Sequence, residues 1–141
     1  MSTTLVDEAA TRAFAARLAR ELPPGALLLL DGPLGAGKTT LIAALVAALG
    51  GPDRTSSPTY TLIHEYPTPD GPIVHVDAYR LGDPEALDAF GLDDYLGRAR
   101  LVAVEWGGAL ADRYPEAWRL RLERVADAPD ARTAELIPPR G

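Results

Sequence analysis

The chain alternates between stretches with the rhythm of a helix and short, unbroken apolar runs. Across residues 7–22, Ala10, Phe14, Leu18 and Leu22 recur every four positions among Arg12, Arg17, Arg20 and Glu21, which predicts a helix. Pro23-Pro24-Gly25 stops it. Residues 26–30 are apolar at every position, and a run of this kind suits a strand buried on both faces, as in a parallel sheet covered by helices. A glycine-rich turn occupies 32–37. Residues 38–49, rich in Ala and Leu, then predict a second helix that ends at Gly50-Gly51.

Beyond a polar loop at 52–59, the apolar stretches 60–66 and 73–77 are joined through Pro67, Pro69 and Asp70-Gly71, a hairpin pattern. A helix is expected over 84–90, with Asp83 as N-cap and Pro84 in the first turn, and a short one over 92–97. Residues 100–105 read as another buried strand, closed by the carboxylate of Glu105. From 117 to 125, Trp118, Leu120 and Leu122 alternate with Arg119, Arg121 and Glu123, as in a half-exposed strand. Its hairpin partner is placed at 133–137, across Asp127-Ala128-Pro129-Asp130, and residues 138–141 read as a frayed tail. The expectation is one α/β domain over 1–141, a mixed sheet with flanking helices and no internal repeat.

Composition narrows the function classes. With 141 residues and a net charge of −6, the chain is poorly suited to grip a nucleic-acid backbone unaided. Cysteine is absent, which agrees with a cytoplasmic setting. Charged residues interrupt 1–25, so no signal-peptide core is expected, and the run at 26–30 is too short to span a bilayer. There is no Asn and no Gln. A glutamine that orients an attacking water and an asparagine that recognises guanine are therefore both excluded. Of the 14 basic residues, Lys38 is the one lysine.

That lysine falls in Gly32-Pro33-Leu34-Gly35-Ala36-Gly37-Lys38-Thr39, a full match to the phosphate-binding pattern G-x4-G-K-[ST], between a predicted strand and a predicted helix. Glycines let successive N–H groups converge on a phosphate, and the helix start adds its positive dipole end. Lys38 would place a charge on the β- and γ-phosphates, and Thr39 would offer a hydroxyl to Mg²⁺. A compact ammonium on a flexible stem suits that loop better than a planar guanidinium, in a chain that uses arginine at its other basic positions. Such a site also needs a carboxylate after a second buried strand. Asp77 and Glu105 both qualify; if one holds the metal, the other is the candidate to position water. With no glutamine for that task, slow hydrolysis stimulated by a partner is expected. Ser57, Thr59 and Tyr60 lie where a nucleotide-sensing loop or a plain turn would each fit.

Four motifs then occur in order: Gly35-Ala36-Gly37-Lys38-Thr39-Thr40, Ser57-Pro58-Thr59-Tyr60-Thr61-Leu62, His75-Val76-Asp77-Ala78-Tyr79-Arg80-Leu81 and Val104-Glu105-Trp106. Together they resemble the bacterial TsaE (YjeE) family over nearly the whole chain. The resemblance implies an ATPase needed for threonylcarbamoyladenosine in tRNA, with ATP and Mg²⁺ as cofactors. It also implies a transferase subunit, TsaD, and its paralogue TsaB as partners, tRNA being met only through the complex and no membrane being involved. By the family pattern Thr39 and Glu105 are the Mg²⁺ ligands, Asp77 is the Walker-B-like residue, and Thr11 stands near the nucleotide. Pro33 departs from the Asp common in the family, a change of loop stiffness and not of a ligand.

Trp106 is either a core aromatic or a neighbour of the nucleotide, and Tyr79 and Arg80 are either partner contacts or ordinary loop residues. His64 and His75 read as ordinary strand residues, and Arg119, Arg121 and Arg124 as a solvated strand face. Two rival functions are a small-molecule or nucleotide kinase and a nucleotide-sensing module that never turns over. Against the kinase, 141 residues leave no room for a lid and an acceptor domain.

Overall fold

The structure is a computed structural model that describes residues 2–32, 37–52, 63–77, 92–105 and 114–139. In chain order the described elements are β1 (Ser2–Leu5), α1 (Glu8–Glu21), β2 (Ala26–Asp31), α2 (Lys38–Ala48) and β3 (Ile63–Tyr66). They continue with β4 (Ile73–Asp77), α3 (Leu92–Leu96), β5 (Leu101–Glu105), β6 (Trp118–Val125) and β7 (Ala128–Ile137). The strands form one mixed sheet in the order β1-β7-β6-β2-β5-β4-β3. Its centre, β6-β2-β5-β4, is parallel, and an antiparallel partner closes each side: β3 on β4, and β7 with β1 on β6.

The unbroken leucines of β2 divide between two cores. Leu28 and Leu30 pack into the cluster under α1 and α2, with Phe14, Leu18, Leu41, Leu45 and Leu101. Leu27 and Leu29 point the other way, among Val74, Val102, Leu92 and Tyr114. A strand sandwiched in this way has no solvent-facing side to alternate toward, which is why its sequence carries no polar period.

At its start, α1 is held by the Asp7 carboxylate, which accepts from the Ala10 N–H at 2.8 Å. At its end, the buried Arg100 guanidinium donates to three carbonyls: Ala19 at 3.0 Å, Leu22 at 2.9 Å and Pro23 at 3.2 Å. The Ala19 and Leu22 carbonyls are acceptors that the helix end leaves without an intrahelical partner, while that of Pro23, just past the cap, also accepts from the Ala26 N–H at 3.1 Å.

The hairpin at the chain's end differs from expectation. β7 begins at Ala128, and Asp127, with φ 68°, makes the tight turn. Pro129 and Asp130, read in the sequence as turn residues, fall instead at the register shift between Arg124 and Val125. An irregularity there spares proline a ladder bond it cannot donate. β1 was not expected at all; it adds to the edge as a partner of β7. The expected helix over 84–90 lies outside the described residues. Among the described residues no helix is long and apolar enough to cross a membrane.

Candidate functional site

The two long helices begin differently. α1 caps itself with Asp7 and carries Glu8 in its first turn, whereas α2 has no side-chain cap and no acidic residue there. Its N-cap, Gly37, sits at φ 93°. A Cβ at that position would come no closer than 3.9 Å to Arg132, so the backbone angle, and not the space, requires glycine. Among the described residues no side chain caps the first N–H groups of α2, which carry the positive end of the helix dipole.

Lys38 opens this helix and is only 5% exposed, an unusual place for an ammonium. Its Nζ donates to the carbonyl of Gly32, at the other end of the loop that links β2 to α2. Thr39 and Thr40, next along the helix, are exposed. Of the rest of the expected loop, Gly35 and Ala36 lie outside the described residues.

Beside this helix start lie the carboxyl ends of the parallel strands, where ligands of open α/β sheets bind. Glu105 ends β5, opposite Leu30 of β2 on one side and Asp77 of β4 on the other. Both carboxylate positions singled out in the sequence are thus neighbours, one strand apart. Glu105 is buried, and its Oε2 lies 2.6 Å from Nε2 of His75, itself 1% exposed. His75 is therefore not merely a strand residue. It is opposite Ala103 in the ladder, and the small side chain there lets the ring reach Glu105 two positions further along β5.

A cavity of about 500 Å³ opens next to the start of α2, lined by Asp7, Thr11, Gly37, Thr40, Leu122 and Arg132 among others. Thr11 and Thr40 thus share one chamber, although 29 positions separate them in the sequence. Thr11 donates its hydroxyl to the Asp7 carbonyl at 3.3 Å. Arg132 was not singled out in the sequence. It comes from β7, beside Gly37, and stands directly opposite Arg124 across the β6–β7 ladder. Arg119 and Arg121, on the other sheet face, pair with Asp31 at 3.5 Å and Glu135 at 4.0 Å. Ser57, Thr59, Tyr60, Tyr79, Arg80 and Trp106 lie outside the described residues.

Comparison with known proteins places this architecture. The family model described as "Threonylcarbamoyl adenosine biosynthesis protein TsaE" matches residues 5–134. A protein of Haemophilus influenzae named tRNA threonylcarbamoyladenosine biosynthesis protein TsaE is 40% identical over 111 residues, 79% of this chain and 69% of that one. Its namesake in Streptomyces coelicolor is 42% identical over 119 residues, 81% of this chain and 80% of that one. The crystal structure of Bacillus subtilis YdiB superposes with a TM-score of 0.76 at 29% identity, covering 99% of this chain and 85% of that one. With most of its length matched and its sheet shared with a solved relative, the chain belongs to the TsaE family of threonylcarbamoyladenosine biosynthesis proteins.

Proposed function

We propose that the chain binds ATP with Mg²⁺, hydrolyses it slowly, and serves as an accessory subunit in threonylcarbamoyladenosine modification of tRNA beside TsaD and TsaB. The observation that carries this reading is the buried Lys38 ammonium at an uncapped helix start, one strand from the buried Glu105 carboxylate. Lys38 exchanges its Gly32 carbonyl for phosphate oxygens when nucleotide enters. The α2 N–H groups bind the β-phosphate, and the cavity bounded by Thr11, Thr40 and Arg132 receives the ribose and base.

The oxygen donors fit Mg²⁺, which is bound through one or two carboxylates together with phosphate and water rather than by an all-protein cage. Thr39 and Glu105 would hold it, and it would supply neutralising charge at the β- and γ-phosphates. In the hydrolytic step a water oxygen bonds to the γ-phosphorus as the bond to the ADP oxygen breaks, and the water's proton passes to the phosphate formed and on to solvent. Asp77, one strand from Glu105, is the carboxylate assigned to orient that water.

Turnover tests this reading. Alone, the protein should hydrolyse ATP slowly. Addition of TsaD and TsaB should raise the rate at least about tenfold, and Lys38→Ala, Asp77→Ala and Glu105→Ala should each cut the stimulated rate by about 100-fold or more. Fast turnover that ignores the partners, or that survives in all three variants, contradicts it. Arg132→Ala should weaken ATP binding by about tenfold, the effect of losing one cationic contact to base or phosphate, measured by calorimetry. Unchanged affinity would remove Arg132 from the site.

A further inference from the structure

Among the described residues, the His75 ring makes one hydrogen bond, and it goes to the carboxylate just described. Both partners are buried, and Nε2 and Oε2 are 2.6 Å apart. A carboxylate that is to hold a metal ion acts as an acceptor, so the role assigned below requires the ring to donate from Nε2. The other ring nitrogen, Nδ1, is buried and has no hydrogen-bond partner among the described residues. The site thus tolerates an uncompensated nitrogen in order to keep a histidine rather than an apolar residue, and what the histidine adds is the grip on Glu105. Holding Oε2 restricts the carboxylate's rotation and leaves Oε1 as its donor oxygen.

We infer that His75 is a positioning residue, which fixes the Glu105 carboxylate for the Mg²⁺ of bound nucleotide. This rests on the proposed role of Glu105. Partners that orient a metal-binding carboxylate typically change metal affinity by about ten- to 100-fold. Register also limits which residue can do this. Residue 75 lies diagonal to Glu105 on the adjacent parallel strand, whereas Ala103, on Glu105's own strand, has no polar group to offer.

The test uses the full chain and the β,γ-imido analogue of ATP, titrated calorimetrically with Mg²⁺ and again with EDTA. The readout is the factor by which Mg²⁺ strengthens binding. Glu105→Ala should bring that factor close to one. His75→Phe should lower it by about tenfold, with affinity in EDTA kept. His75→Gln, whose amide nitrogen can donate in place of Nε2, should restore most of it. A native factor in His75→Phe while Glu105→Ala loses it overturns the inference and spares the role of Glu105. A native factor in Glu105→Ala overturns both. As a second measurement on the unaltered chain, ¹⁵N spectra of the His75 ring should change when Mg²⁺ is added to the analogue-bound protein. No change there overturns the inference whatever the fold of the variants.

Discussion

Lys38→Ala should weaken ATP and ADP binding by about 100-fold, the loss expected when charge-assisted bonds worth about 1.5–3 kcal/mol each are removed. The protein should remain folded. Without nucleotide, the ammonium offsets its desolvation through its contact with the Gly32 carbonyl, so deleting both charge and burial cost leaves stability nearly unchanged. Lys38→Arg should also fail to bind well, because a planar guanidinium cannot follow the stem back along the loop. Calorimetric titration paired with thermal melting checks both halves. Native affinity in Lys38→Ala would detach the lysine from the ligand. A collapsed melting temperature would make it a structural residue.

The second large effect concerns stability. Arg100 is 7% exposed and ties three carbonyls at the end of α1 to the start of β5. Its own backbone joins the same knot, since its N–H donates to Pro72 and its carbonyl accepts from Gly25, each within 3.0 Å. Arg100→Ala should cost about 3 kcal/mol of unfolding free energy, because several carbonyls lose a charged donor in a place where water reaches them poorly. Arg100→Lys should recover only part of this, for one ammonium cannot span the three acceptors that a guanidinium fork serves. Urea denaturation measures it. A loss under about 1 kcal/mol would show that the carbonyls are satisfied without the side chain.

Much of the fold was legible because burial leaves a pattern. The four-residue period of α1, the all-leucine run of β2 and the alternation of β6 each report how many faces of an element meet the core. β1 escaped for the converse reason. Ser2, Thr3, Thr4 and Leu5 make a strand too short to show a period, and it exists because β7 offers it a ladder. Pro129 misled because turn residues and bulge residues have the same chemistry.

The site divides in the same way. Gly37, Lys38 and Thr39 were readable as candidates because the phosphate-loop pattern is local to one loop and one helix start. Asp77 and Glu105 were readable as strand-ending carboxylates, although only the sheet order shows that they are neighbours. His75 looked like one more strand residue, since its partner lies 30 positions away on another strand. Arg132 likewise gave no signal, as its place in the cavity depends on how the β6–β7 hairpin wraps toward α2. Arg100, too, reaches carbonyls 77 to 81 positions back along the chain. Residues of this kind act through register and topology, which no window of sequence contains.

The most direct test of the central claim is a calorimetric titration of the purified chain with ATP, and separately with ADP, in the presence of Mg²⁺. Saturable uptake of one nucleotide per chain, abolished or strongly weakened by Lys38→Ala, is the predicted result. No uptake of either nucleotide, by the chain alone or assembled with TsaD and TsaB, would contradict it.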